Sequence, residues 1–265
     1  MAYMNKNAEL KNGYNAYIDS SVDDMGTQMD VGLLLMEAGD TYVYEDAKKE
    51  VAILLFSGSV TYEWDGKKVE ADRPDCFHHD AYCLLAGCGT KVTITAKAHS
   101  ELYIQATVNE TPYEAVMYTP DKVQVEHKGF GGELMGCMSR EIKTFLDNAP
   151  FSKMVLGEVL NLPGKWSSYP PHHHPQPEVY FYRFDYPDGF GAGFANGEIF
   201  KTQHNGCAVI NHGFHSQTAA PGYAMCYAWG IRHLEGDPWD KTRIDDPEHA
   251  WLWKADANDH IYPNH

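Results

Sequence analysis

The stretch VAILLFSGSVTYEWDGKKVEA, residues 51–71, decides the fold class. Two alternating, β-rich runs flank Asp65-Gly66, a pair that readily takes positive φ in a two-residue hairpin loop. Reading outward, similar runs recur: VGLLLMEAG, KVTITAKA and ELYIQATV before the midpoint, then KMVLGEVLNLPG, EVYFYRF, CAVINHG and YAMCYAWG after it. Gly, Pro, Asp and Asn separate them at short intervals, the signature of an all-β sandwich or barrel. The clearest helical period is SREIKTFLDNA, for which Ser139 would serve as N-cap of one short helix.

The halves echo one another. LLFSGSVTYEWDG in the first and VYFYRFDYPDGFG in the second each read as strand, turn, glycine. Between them, Pro120 and the glycines of 129–132 mark a linker. The expected organisation is two β-barrel modules, residues 1–125 and 126–265, in a chain of 265 residues.

Composition narrows the function classes. A net charge of −16, from 37 acidic and 21 basic residues, argues against a nucleic-acid partner, which needs a basic surface. No apolar run reaches the length of a membrane span, and MAYMNKNAELKNGYN lacks the apolar core of a signal peptide, so a cytoplasmic protein without a membrane partner is expected. The six cysteines contain no CxxC pair and read as buried free thiols, because the Cys76, Cys83, Cys88 spacing matches no common zinc site. Exposed sheet edges would suit a homo-oligomer.

The chemistry concentrates in WSSYPPHHHPQPEVYFYRF, residues 166–184. On an extended segment alternate side chains share a face, so His172 and His174 point together and His173 points away. A short turn stiffened by Pro175 and Pro177 returns Glu178 beside them. Two imidazoles and a carboxylate on adjacent strands form a partial metal site that leaves positions open for substrate. NHGFHSQ offers the fourth ligand, with His215 after the Gly213 corner preferred over His212. His78-His79 has no downstream Gly-x-His partner and reads as a polar turn.

The order HxH-x3-E, then G-x-H, resembles the metal signature of the cupin superfamily of small β-barrels. GEVLNLPGKWSSYPPHHH, EVYFYRF and GFHSQTAAPGY are similar to segments of the 5-deoxyglucuronate isomerase family of myo-inositol catabolism. EVAILLFSGSVTYEWDGKK and GTKVTITA resemble its metal-free first barrel, so the likeness runs from about residue 30 to about residue 240. Two departures stand out: a shorter turn between His174 and Glu178, and Asn211 where a proline is common.

The resemblance implies two cupin-like jelly-roll modules, the second holding a divalent metal on His172, His174, Glu178 and His215. It implies an aldose–ketose isomerase converting 5-deoxy-D-glucuronate, a sugar acid, to 5-dehydro-2-deoxy-D-gluconate. The 4-deoxyhexosulose-uronate ketol-isomerases share this constellation. An oxidative metal cupin and a non-catalytic sugar-binding cupin are the other readings, the latter having no need of an open metal position. The isomerisation has no redox step, so zinc suffices, and manganese, iron or nickel fit the same ligands. Tyr180 and Tyr182 share the parity of Glu178 and are candidates to donate a hydrogen bond or relay a proton. Glu178 itself is a candidate base. For the substrate carboxylate the candidates are Lys165, Arg183 and Arg232, although parity turns Arg183 away from the metal.

Overall fold

A computed structural model describes residues 2–127, 140–143, 151–241 and 243–264. The regular elements in these residues are strands in three antiparallel sheets, with short 3₁₀ turns between them. This is the all-β class that the alternation predicts.

The long strand Lys49–Trp64 organises the first half. From Val51 to Phe56 every side chain is buried, because this part of the sheet is covered on both faces. Val51, Ile53 and Leu55 join one apolar cluster, whereas Ala52, Leu54 and Phe56 face a second cluster shared with the other half. At Gly58 the chain takes φ +112°, and an added Cβ would lie 2.3 Å from Ser100 Oγ. The register shifts between Leu55 and Ser57, and alternation then resumes with Val60, Tyr62 and Trp64 inward. The hairpin pairs Trp64 with Lys67, and Asp65 and Gly66 both have positive φ, at 46° and 73°.

In the second half a seven-stranded sheet faces a five-stranded one. The strand Glu178–Phe184 is wholly buried and divides its side chains by parity. Val179 and Phe181 join the cluster shared with the first half, and Tyr180, Tyr182 and Phe184 turn to the inner one. Phe181 stands among Tyr17, Phe56 and Tyr103, with ring centroids 5.0–5.9 Å away. Ala2–Asn5 pairs with Gly206–Ile210 at one edge of the seven-stranded sheet, and Gln124–Glu126 forms the other edge.

A fully buried ion pair helps tie the shared layer together. Arg73 and Glu158, both 0% exposed, meet through two hydrogen bonds of 2.9 and 2.8 Å. Arg73 also donates to the carbonyls of Leu55 and His79, so its donors are satisfied without water.

The helix expected over SREIKTFLDNA is corrected in part. Arg140–Lys143 is a strand between Gln124–Glu126 and Met154–Asn161, so the sheet ladder overrides the helical period; the rest of that segment, including Ser139, lies outside the described residues. Glycines 129–132 and Cys137 also lie outside them. Cys76, Cys83, Cys88, Cys207 and Cys226 are buried free thiols.

Candidate metal centre

The strand Trp166–His173 does not run smoothly. Its register against His215–Ala219 shifts between Ser167 and His172, across the segment that holds Pro170 and Pro171. Ser168 takes the left-handed conformation at φ 54°. Pairing resumes at His172 opposite His215, which aims both imidazoles to one side. The His173 ring packs edge-on against Phe214, 5.0 Å between centroids, away from the others. Gln176 fixes the following turn by donating to the Asp237 carbonyl at 2.8 Å, and Glu178 opens the next strand. Gly213, at φ +80°, makes the corner before His215; a Cβ there would lie 2.7 Å from that of Asn196.

His172, His174 and His215 present ligand atoms within 4.8 Å of one another. Each ring is oriented by a backbone carbonyl: His172 Nδ1 lies 3.3 Å from Ser168 O, His174 Nδ1 2.9 Å from Gln176 O, and His215 Nδ1 3.4 Å from Gly213 O. A carbonyl only accepts, so these partners assign the proton to Nδ1 and leave the Nε2 lone pair for the cluster. Glu178 Oε2 lies 3.2 Å from His174 Nε2 and 3.3 Å from His215 Nε2.

Lone pairs thus face a carboxylate oxygen, an arrangement that requires a cation, either a proton or a metal ion. His215 shows this most plainly. It is 1% exposed, and despite its distance to Glu178 its Nε2 lacks a directed hydrogen bond. An orphaned buried nitrogen costs about 1–3 kcal/mol, which coordination would relieve. Three imidazoles and one carboxylate are compatible with a divalent metal such as zinc, manganese, iron or nickel.

The electrostatics are consistent with that donor set. Burial raises the Glu178 pKa, but the nearby His174 and His215 rings outweigh it and hold the carboxyl well below its usual range. Burial lowers the His174 pKa, and Glu178 more than offsets it, so the value is raised. For His172, burial and then the His215 and Arg243 charges push it well down, keeping that ring neutral.

Buried hydroxyls line the wall beside the cluster. Tyr180 Oη lies 3.4 Å from Ser168 Oγ, and Tyr227 Oη lies 2.9 Å from Ser167 Oγ and 3.3 Å from Ser168 Oγ. Burial, then the Glu178 charge, raises the Tyr180 pKa far above its ordinary value, so its phenol keeps the proton. Tyr182 lies deeper, where its hydroxyl donates to Gln217 Oε1 at 2.7 Å.

The structure thus gathers His172, His174, Glu178, His215 and Tyr180. It does not bring in the expected cations. Arg183 is on the opposite face of its strand, bonded to Glu101 and Asn205 and stacked on Phe56 at 5.4 Å. Lys165 is exposed at the far end of the Trp166–His173 strand from the histidines, roughly 15–20 Å along it. Arg232 donates to Thr107 Oγ1 at 2.8 Å in the layer between the halves. His212 contacts Asn196 at 3.0 Å, outside the cluster, and His78 and His79 stand at the surface beside Asp75.

Sequence reasoning missed Ser167, Ser168 and Gln217. Paired prolines inside a strand are a signal for a bulge at Ser168, and the HxQ spacing after Gly213 is one for Gln217.

Known proteins resemble this chain over most of its length. The family model described as the KduI/IolB family matches residues 3–252. A 5-deoxy-glucuronate isomerase of Lacticaseibacillus casei is 24% identical over 277 residues, covering 95% of this chain and 98% of that one. The IolB-like protein of Salmonella typhimurium LT2 superposes with a TM-score of 0.81 at 17% identity, covering 92% and 97% of the two chains. A cupin 2 conserved barrel domain protein from Leptotrichia buccalis gives 0.50 at 12% identity, covering 87% and 96%. The chain has the cupin fold, belongs to the KduI/IolB family and is an isomerase.

Proposed function

We propose that this protein is a metal-dependent aldose–ketose isomerase that converts 5-deoxy-D-glucuronate to 5-dehydro-2-deoxy-D-gluconate in inositol catabolism. One observation carries the reading: three buried imidazoles present ligand atoms within 4.8 Å of one another, with the Glu178 carboxylate beside two of them. His172, His174, Glu178 and His215 would hold the ion, with zinc the first choice. When bound, the metal would polarise the substrate carbonyl and stabilise negative charge on the C1 and C2 oxygens.

The protein's own groups then account for the proton movements. Glu178, on leaving the ion, accepts the C2 proton while the C2–H electrons form the C1–C2 double bond and the carbonyl electrons move to O1. Tyr180, held protonated, donates a hydrogen bond to the oxygen that gains charge. Returning the proton to C1 while the O2 hydroxyl proton passes to O1 leaves the carbonyl at C2. Tyr182 acts from below by donating to Gln217 Oε1, which fixes that amide on the strand of His215.

The 1–125 and 126–265 modules, with Ala2–Asn5 and Gln124–Glu126 adding the edge strands of the second sheet, a cytoplasmic location and a homo-oligomeric assembly complete the proposal. Incubating metal-loaded protein with the sugar in deuterated water tests it, because enolisation exchanges the transferred hydrogen. Deuterium at C1 of the ketose, read by NMR, is expected. Absence of exchange with this sugar and with 4-deoxyhexosulose-uronate would overturn the isomerase reading, and exchange with the latter alone would reassign the substrate.

A further inference from the structure

An acidic substrate approaching a chain of net charge −16 needs a local cation, and the arginines at 73, 183 and 232 are engaged elsewhere. The short strand Ile244–Asp245 supplies one. It pairs with the histidine strand, Asp245 opposite His172 and Ile244 opposite His173. Directly opposed residues share a face, so Asp245 lies on the face of His172, and Arg243, just before this strand, is bonded to Asp245 there.

The guanidinium is held in place from three sides. Nε donates to Asp245 Oδ1 and Nη2 to the Pro170 carbonyl, both at 2.8 Å, and the group lies 5.8 Å from the Trp253 ring. Asp245 is itself fixed by Trp253 Nε1 at 2.7 Å. The side chain remains 34% exposed, so its remaining donors can meet a ligand at the mouth.

We propose that Arg243 binds the substrate carboxylate and makes this enzyme select acidic sugars over neutral ones. The inference rests on the isomerase reading above. A guanidinium preset by three contacts loses little freedom on binding a carboxylate and offers it a planar, charged donor edge. Holding the acid at the mouth leaves the carbonyl end to point inward, toward the histidines and Tyr180.

The test compares two substrates, the deoxy-uronate and the same sugar with its carboxylate reduced to a primary alcohol. Wild-type protein should prefer the acid, and Arg243→Met should lower kcat/KM for the acid about 10- to 100-fold, chiefly through KM. The ratio of acid to alcohol should then collapse toward one, and Arg243→Lys should restore part of it. If Arg243→Met does not fold, as read by its melting temperature and metal content, Arg243→Gln carries the same comparison. A residue that only staples the C-terminal segment would lower both substrates together, and an unchanged ratio in an active variant overturns the proposal. Metal-loaded wild-type protein that turns over neither compound would instead overturn the isomerase reading.

Discussion

In the first half of the chain, the inward face of the curled sheet carries Leu34, Val51, Ile53, Tyr62, Ile94 and Leu102, an almost purely apolar filling. In the second half, the corresponding space is lined by Tyr180, Tyr182 and Tyr227 and leads to His172, His174, His215 and Glu178. The two regions use the same alternation and the same antiparallel pairing. Their difference shows that a barrel interior becomes a reactive site through a few inward positions near one end. The irregularity at Ser168 and the corner at Gly213 place those positions in the second half.

The largest break in the contrast should come from His174→Ala, which removes one nitrogen and leaves Glu178 without its nearest partner. Turnover should fall by about 10³-fold or more, measured by NMR progress curves. His173→Ala, directed at Phe214, should leave turnover within about twofold of wild type.

Arg73→Met tests the layer between the halves. It strands Glu158 without its cation in a dry interior, so urea unfolding should show a loss of about 3–5 kcal/mol. The double change Arg73→Met with Glu158→Leu removes both charges and should recover much of that loss. Gly213→Ala should act more locally. A Cβ at φ +80° that close to Asn196 should cost about 1–2 kcal/mol and weaken metal retention by displacing His215.

A smaller effect concerns His204, which accepts the Phe184 N–H at 3.0 Å. Burial, then the Arg183 charge, lowers its pKa from 6.5 to about 4. The unfolded chain therefore binds a proton that the folded one refuses between those values. Stability from this group is complete above pH 6.5 and is lost as pH falls through about 4. Denaturation midpoints of His204→Gln should decline less steeply over that window than those of wild type.

Alternation and turn chemistry made much of this visible in the sequence. The Asp65-Gly66 hairpin, the division of Glu178–Phe184 between two faces and the HxH parity all follow from a period of two. Other features depend on distant partners and leave no local trace. Arg140–Lys143 forms a strand because strands on both sides claim its backbone, against its own helical period. Arg243 reaches the histidine face only through pairing 73 residues away in sequence from the Pro170 carbonyl it contacts. Arg183 has the charge a carboxylate needs, but strand parity turns it from the metal and the structure commits it to Glu101 in the shared layer.

The central claim is that the histidine cluster holds the metal on which isomerisation depends. Plasma mass spectrometry of protein purified without chelator tests it most directly, comparing wild type with the double variant His174→Ala, His215→Ala. The account predicts a single divalent ion per folded wild-type chain and none in the folded double variant, with turnover following the metal. Full turnover by metal-free wild-type protein, or an ion retained by the double variant, would contradict it.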